Sequence, residues 1–408
     1  MVSPAQRGPS KTDSRKTDVR AAMFRAVDRP LHRAATLPGS MFSDPGVFAR
    51  EVQRLFRRTW VCVGRSDEIP AEGDFRTFEV GGSGVLVLRD DQGHLRAYHN
   101  VCRHRGTRIV EEESGRGLTV VQCPYHAWTY SLEGALVGAP HMDLAEDFAR
   151  DTYGLFPVRL EEWRGFLFLN LNPKASPLQD FLGEFARRAA PYPLERLRRA
   201  HRYVYEIAAN WKLVVQNANE CYHCPGVHPQ LVRITPYRSG EEDLLEGPVF
   251  GGWMDFAEGA ATLTPDGTTP RRLFPGLSSD DLRRVYYYVL YPSNFLSLLP
   301  DYVTLDWFIP VSPDRTRLVF DLYVDRDEAD PAREAMEFWD LTNRQDWHVC
   351  EMAHLGSKTA AYTQGRYSSE EDAVHAIDRY YLKAVGLLPR SAAPRRPPTS
   401  SMQRRRGA

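Results

Sequence analysis

Apolar residues after Trp60 occur in short runs that alternate with polar residues and are separated by glycine-rich or acidic breaks. Such runs are typical of β-strands joined by tight turns. The clearest runs lie at 75–80, 84–88 and 118–121. The pattern predicts a small all-β domain over residues 61–168.

The chain on either side of this domain has a different pattern. Apolar residues between 43 and 56 recur at helical spacing, and Ser43 or Asp44 can cap the first turn. We expect residues 37–60 to form a helix that packs on the second domain, at 169–388, where both patterns occur. Predicted helices lie near 178–190, 211–223 and 331–356, and predicted strands at 202–207, 285–291, 295–299, 302–310 and 316–324. The fold class is therefore predicted to be α+β.

Composition and charge narrow the function classes. The net charge of −1 gives no indication of a nucleic-acid partner, and the longest apolar stretches are too short to span a bilayer. Residues 1–36 are rich in Ser, Pro and Arg and lack the apolar region of a secretory signal. We expect them to form a disordered extension, residues 389–408 to form a disordered tail, and the protein to be cytoplasmic. A disulfide framework would then be improbable.

Two loops of the predicted β domain each carry one cysteine and one histidine. Cys102-Arg103-His104 is followed by Cys123-Pro124-Tyr125-His126. Zinc is the competing metal, but zinc fingers group their cysteines together and their histidines together. One Cys and one His per loop allow both thiolates to bind one iron and both imidazoles the other, as in a Rieske [2Fe–2S] centre. The spacing favours that cluster, with Cys102, His104, Cys123 and His126 as its ligands.

A second group of candidate ligands begins at Asn217. Asn217, Glu220 and His223 recur every three residues, so one continuous helix would place them on one face. Pro225 and Gly226 would break that helix and return His228 toward His223. Two such histidines need a carboxylate to complete a facial triad on non-haem Fe(II). The flanking cysteines, 221 and 224, could form a redox dithiol, but we interpret them as thiols of the pocket wall.

The residues 104–106 and 123–130, together with 217–229, resemble the cluster loops and iron-binding segment of the Rieske oxygenase α subunits. The resemblance extends from about Phe42 to Leu388. The family more often has Gly where this chain has Ala127, which matters only if that backbone needs a positive φ. In fold, the resemblance implies an all-β Rieske domain and a helix-grip catalytic domain with an antiparallel sheet. In partners, it implies a separate flavin-containing reductase, with or without a ferredoxin, and a homotrimer.

The same resemblance implies roles for two carboxylates. Asp346, in the run Gln-Asp-Trp, aligns with the third iron ligand, whereas Asp340 lies about 240° away around a helix. At the position of Glu220, ring-hydroxylating members have an aspartate that connects an iron-ligating histidine to a cluster histidine of the neighbouring subunit. The resemblance implies that Glu220 would join His223 to His126 of the next subunit in the same way. Asn217 belongs to the same catalytic segment. Glutamate in the run Glu-Cys-Tyr-His-Cys-Pro is similar to the branch of choline, glycine betaine and carnitine monooxygenases.

We therefore expect a terminal oxygenase that uses O2 and two external electrons to hydroxylate a small N-methyl or quaternary-ammonium compound. Aromatic ring hydroxylation is the alternative, and a non-catalytic Rieske electron carrier or a zinc-stabilised module would leave the second ligand group unexplained. Aromatic side chains of residues 250–310 can cage a quaternary ammonium, although strand positions often simply fill a core. The pocket candidates are Phe250, Trp253, Tyr288, Tyr302 and Trp307, with Phe256, Tyr286, Tyr291 and Phe295 as further wall residues.

Overall fold

The computed structural model describes residues 11–389, and its N-terminal part is helical rather than disordered. Helix α1 spans Lys11–Val27, and α2 spans Pro45–Glu51 and continues as a π-turn, Val52–Phe56. Phe24 and Val27 are buried in the main core, so apolar burial holds a segment whose composition alone indicated disorder. The expectation of a disordered extension is thus corrected over 11–36. Residues 1–10 and the predicted tail from 390 onward lie outside the described residues.

Ten short strands form the first domain. They are β1 Val61–Arg65, β2 Phe75–Val80, β3 Ser83–Arg89, β4 Leu95–His99, β5 Ser114–Gly115, β6 Val121–Gln122, β7 Thr129–Tyr130, β8 Leu136–Gly138, β9 Arg159–Trp163 and β10 Phe166–Asn170. They pair in three antiparallel sheets, β4-β3-β2-β5, β1-β10-β9 and β6-β7-β8. The run predicted as a strand at 118–121 is extended only from Val121 onward. The third sheet carries one of the two cluster loops between β6 and β7.

The second domain is built on one seven-stranded antiparallel sheet in the order β11-β17-β16-β15-β14-β13-β12. Its strands are β11 Leu197–Ile207, β12 Gly240–Leu244, β13 Val249–Asp255, β14 Arg284–Leu290, β15 Asn294–Leu298, β16 Val303–Ser312 and β17 Arg315–Asp325. The helices are α3 Leu178–Leu182, α4 Glu184–Arg188, α5 Trp211–Asn217, α6 Cys224–Val227, α7 Pro229–Ile234, α8 Arg333–Ser357 and α9 Asp372–Ala384. Our pattern reading did not predict β12, β13 or α9.

The two faces of this sheet bury different partners because side chains alternate along each strand. One face packs against α5, α8 and α9, with Phe320, Leu322 and Trp339 in its core. The opposite face packs against α3, α4 and the β1–β10 pair, with Tyr288 and Leu298 in its core. The predicted α+β class is confirmed. None of the helices in residues 11–389 is both long and apolar enough to cross a membrane.

Candidate metal centres and cavity

The two cluster loops bring their cysteines inward and their histidines outward. Cys102 and Cys123 are buried, His104 is exposed, and the two imidazole rings lie 4.6 Å apart between centroids. The Tyr130 hydroxyl lies 3.4 Å from the Cys102 sulfur and accepts from the backbone N–H of Arg103 at 3.0 Å. Burial raises the pKa of the Cys123 thiol. One buried thiol pair and one outer imidazole pair fit a [2Fe–2S] cluster with sulfur ligands on one iron and nitrogen ligands on the other.

The backbone of the second cluster loop requires the conformation that glycine favours. Ala127 has φ of 55°, and the next residue, Trp128, stacks on His104 with 5.0 Å between ring centroids. The left-handed conformation costs an alanine about 1–2 kcal/mol relative to ordinary backbone. The turn is therefore kept by the ring packing and hydrogen bonds around it, including Ala127 N–H to Cys123 carbonyl at 3.1 Å.

Three further side chains converge on one point of the second domain. The Asp346 Oδ1 atom lies 2.7 Å from His228 Nε2 and 3.1 Å from His223 Nε2. The possible ligand atoms of the three residues all lie within 4.8 Å of one another. His223 and His228 flank the four-residue helix α6, whose shortness keeps its two ends close, and Asp346 is carried by α8.

Local hydrogen bonds leave both Nε2 atoms available to a metal. His223 Nδ1 lies 2.6 Å from Glu220 Oε1, and His228 Nδ1 lies 2.8 Å from Gln345 Oε1. With Nδ1–H donating to these oxygens, each ring directs its Nε2 atom toward Asp346, where a metal ion would take the place of a proton. Oxygen partners behind the ligating nitrogen orient a histidine and raise its basicity. Our sequence reasoning missed Gln345, although its place beside Asp346 could have indicated it.

The charges of the triad fit a divalent cation. Burial by itself lowers the pKa of His223, but hydrogen bonds to Asp346 and Glu220 raise it to about 10. Burial raises the pKa of Asp346, and the hydrogen bonds from both histidines outweigh it and hold that pKa below its usual value. A metal ion bound among the three residues would supply positive charge to the Asp346 carboxylate at the same place. Two imidazoles and one carboxylate beside an open cavity form the donor set of non-haem iron(II).

Helix α5 is shorter than predicted, which changes how Glu220 reaches its partners. The helix ends at Asn217, and the Asn219 side-chain amide donates to the Val215 carbonyl at 2.6 Å, closing the last turn. Glu220 therefore lies in the turn that follows, where Oε2 accepts from the backbone N–H groups of Tyr222 and His223. Asn217 still reaches His223, with its Nδ2 atom 3.5 Å from the ring Nε2.

The competing carboxylate, Asp340, lies away from the histidines. It accepts from the Tyr205 hydroxyl at 2.7 Å and from Arg344 at 2.9 Å. Of the two acids on this part of α8, the structure places Asp346 beside His223 and His228.

The cysteines beside His223 form a disulfide, Cys221–Cys224, with their Cα atoms 4.9 Å apart. We had interpreted them as thiols, and the structure corrects this because the turn that precedes α6 brings their side chains together. Both contribute to the wall of the cavity. Among the described residues, the other four cysteines are free and buried.

A cavity of about 130 Å³ opens onto the triad. Its aromatic lining comprises Trp253, Tyr287, Phe295, Trp339 and Trp347, and its carboxyl groups besides Asp346 are Glu220, Glu242 and Asp306. Tyr287 and Phe295 stack with 5.8 Å between ring centroids. Sequence reasoning did not single out Tyr287, Trp339 or Glu242, because nothing local distinguishes them from core or surface positions.

Of the five proposed pocket residues, only Trp253 lines this cavity, and the structure revises the expectation for the other four. Phe250 packs on Tyr291 and Tyr380 in the core. Tyr288 points to the opposite face, where its hydroxyl lies 3.3 Å from Asp243. The Tyr302 hydroxyl donates to the Leu263 carbonyl at 2.8 Å in the core. Trp307 packs on Phe78 of the first domain. Strand alternation, which aromatic composition does not report, turns Tyr288 and Trp307 to the face opposite the triad. Phe250 and Tyr302 lie on the triad's side of the sheet but are taken up by its core.

Comparison with known proteins agrees with both centres. Residues 59–149 match the family model of the Rieske [2Fe-2S] domain, and residues 194–386 match that of the ring hydroxylating alpha subunit (catalytic domain). A glycine betaine monooxygenase oxygenase subunit from Pseudomonas aeruginosa (strain UCBPP-PA14) is 30% identical over 409 residues, 91% of this chain and 94% of that protein. The chain belongs to the Rieske oxygenase family.

A second sequence relative and two solved structures are also similar to this Rieske oxygenase. The chain is 32% identical to the glycine betaine monooxygenase oxygenase subunit of Chromohalobacter salexigens over 370 residues, 82% of each chain. The crystal structure of a quaternary ammonium Rieske monooxygenase with its substrate L-carnitine superimposes with a TM-score of 0.75 at 25% identity, covering 88% of this chain and 98% of that one. Naphthalene 1,2-dioxygenase from Rhodococcus sp. shares the fold, with a TM-score of 0.71 at 20% identity.

Family membership confirms the predicted class and cofactors. The protein is the terminal oxygenase component of a Rieske system, with a [2Fe–2S] cluster in the first domain and a mononuclear iron in the second. The non-catalytic electron carrier and the zinc-stabilised module are excluded, because neither contains the catalytic domain matched at 194–386.

Proposed function

We propose that this Rieske oxygenase oxidises a small N-methylated or quaternary-ammonium compound. The observation that carries the proposal is the cavity beside the triad, whose wall includes Tyr287, Phe295 and Trp339. Aromatic faces attract a desolvated cation, by about 0.5–2 kcal/mol for each ring. Relatives with 29–32% identity are named for glycine betaine, carnitine and choline, which supports the same substrate class.

Each residue of the proposed site has a definite task. His223, His228 and Asp346 would hold the iron, and Cys102, Cys123, His104 and His126 would hold the cluster. Glu220 and Gln345 keep the Nδ1 protons of the two histidines in place. The aromatic wall orients the substrate and excludes water. The bound iron supplies activation of O2, for which two electrons arrive from outside the chain.

The overall reaction would insert one oxygen atom into a C–H bond and reduce the other to water with two electrons and two protons. On an N-methyl group the product is a carbinolamine, which breaks its C–N bond and releases formaldehyde. On choline, oxidation at the alcohol carbon releases no formaldehyde. The released products therefore report which bond the site presents to the iron.

We further propose that the electrons come from a separate reductase and cross a subunit boundary in a homotrimer. The side chain of Glu220 is 14% exposed, and Tyr222, two residues on, is 58% exposed, so this turn lies at the surface of the chain. A cluster histidine of a neighbouring subunit, His126, could then approach Glu220 from outside. The structure of one relative, a quaternary ammonium Rieske monooxygenase, is reported to give insights into inter-subunit electron transfer.

The decisive experiment measures oxygen uptake and formaldehyde release by the iron-loaded protein with a flavin-dependent reductase and NADH. Choline, glycine betaine, carnitine, tetramethylammonium and benzoate would be compared. We expect oxygen uptake coupled to product with at least one ammonium compound. Coupled turnover of benzoate alone would instead assign aromatic ring hydroxylation to the site.

A further inference from the structure

The cavity contains a carboxyl group whose position is fixed by the sheet. Glu242 lies on the edge strand β12, opposite Gly252 of β13, and Gly252 lies opposite Tyr287 of β14. These residues share one face of the sheet, the face that carries the iron triad. A Cβ atom on Gly252 would overlap the carbonyl oxygen of Glu241. Because the residue between them carries no side chain, the Glu242 side chain and the Tyr287 ring border the same cavity.

No lysine or arginine of the described cavity wall pairs with Glu242. Its Oε2 atom is buried and has no hydrogen-bond partner among residues 11–389. Burial, together with the negative charges of Asp372 and Asp243, raises the pKa of Glu242 to about 8. The lining contains no Lys or Arg among the described residues. Arg284 stacks on the Trp253 ring, but it is bound to Asp255 at 3.0 Å.

A second carboxyl group lines the same cavity. Asp306 of β16 is 7% exposed, and its Oδ1 atom has no hydrogen-bond partner among residues 11–389. Buried carboxyl groups are normally hydrogen-bonded or paired. Two carboxyl groups that each have one buried oxygen without a partner lie beside aromatic rings, and a cationic ligand would complete this site.

We propose that Glu242 binds the positively charged head group of the substrate, and that the cavity selects cationic amines without a carboxylate over zwitterionic betaines. This inference rests on the proposed function and narrows its substrate class. A betaine would bring its own carboxylate into a space bordered by Glu242 and Asp306, where no lysine or arginine of the described wall compensates its desolvation. A choline-like cation has only the charge that Glu242 and the aromatic faces attract.

Binding should be measured directly, by isothermal titration of the full-length, iron-loaded protein without O2. The probes are choline, glycine betaine and 3,3-dimethyl-1-butanol, the uncharged isostere of choline. We expect wild-type protein to bind choline at least about tenfold more tightly than the other two, and Glu242→Gln to lose about tenfold to a hundredfold of the choline affinity. In Glu242→Gln, the affinity for the uncharged isostere should change by less than about threefold, because this probe has no charge for Glu242 to attract.

The matched control is Glu241→Gln. Glu241 is the neighbouring residue of β12, is exposed and does not line the cavity, so the same charge is removed without changing the site. This variant should bind choline as the wild-type protein does. Iron and sulfide content would verify that both variants are folded and loaded.

The possible failures are distinguishable. Equal or tighter binding of glycine betaine by wild-type protein, or an unchanged choline affinity in Glu242→Gln, would overturn the role of Glu242 and leave the proposed function standing. Absence of binding and turnover with every ammonium compound would overturn the proposed function itself. If Glu242→Gln fails to fold, the wild-type preference among the three probes still decides the inference.

Discussion

Asp346 and Asp340 lie on the same helix, α8, and their surroundings decide which of them can serve the iron. Asp346 meets both histidines, whereas Asp340 is held by Tyr205 and Arg344. We expect Asp346→Asn to lose the mononuclear iron, falling from about three irons per chain to about two with acid-labile sulfide unchanged, since the cluster ligands are separate. Metal analysis and the visible cluster spectrum would measure this.

Asp340→Asn is the comparison variant, because it changes the same side chain on the same helix outside the triad. It should retain both kinds of iron and its turnover. Retained mononuclear iron in Asp346→Asn together with its loss in Asp340→Asn would show that the third ligand has been assigned to the wrong acid.

At the scale of elements, one buried ion pair joins three helices. Glu51 of α2 accepts from Lys212 of α5 at 2.6 Å, from the Trp211 indole at 2.8 Å and from the Tyr381 hydroxyl of α9 at 2.6 Å. Lys212 and Glu51 are 3% and 0% exposed. Lys212→Met should lower the free energy of unfolding by about 3–5 kcal/mol, because the Glu51 carboxylate would stay buried without its counter-charge.

The double variant Glu51→Gln with Lys212→Met tests that reason. Neutralising both partners removes the unpaired charge, so most of the lost stability should return. Denaturant unfolding followed by tryptophan fluorescence would measure the wild-type protein and both variants. A double variant as unstable as Lys212→Met would show that packing of the lysine stem, rather than charge, holds these helices together.

At the scale of the whole molecule, the proposal is that a cluster in one subunit serves the iron of another. Asp346→Asn subunits would keep a competent cluster but lack iron, and His126→Ala subunits would keep iron but lack a competent cluster. Each variant alone should be inactive. Mixed oligomers purified through two affinity tags should regain a fraction of wild-type turnover, since one subunit supplies the donor and its neighbour the acceptor.

Glu220→Gln gives an independent measure of the same route. Both metals should remain bound, while single-turnover oxidation of the reduced cluster slows by orders of magnitude, because the amide no longer accepts from both histidines as a carboxylate does. Inactive mixed oligomers together with wild-type transfer rates in Glu220→Gln would place the electron path within one chain.

The sequence by itself determined the chemistry that depends on short spacings. Cys102 and His104, Cys123 and His126, and His223 and His228 each lie within one loop or turn, so local geometry brings each pair near one metal centre. The alternation of apolar and polar residues likewise predicted β2 at its observed bounds. The positive φ of Ala127 agrees with the glycine that the family more often has there.

Only the tertiary structure decided what depends on distant contacts. Asp346 lies 118 positions from His228, and the orientation of α8 sets which acid arrives there. Burial of Phe24 and Val27 stabilises α1 despite a composition typical of disorder. Among the described residues, the cavity takes its walls from nine helices and strands, α5 to α8 and β12 to β16. No local pattern could therefore select Tyr287 and Glu242 over their neighbours. Tertiary packing determines which face of each strand is covered and which elements cover it. Packing therefore decided which residues line the cavity.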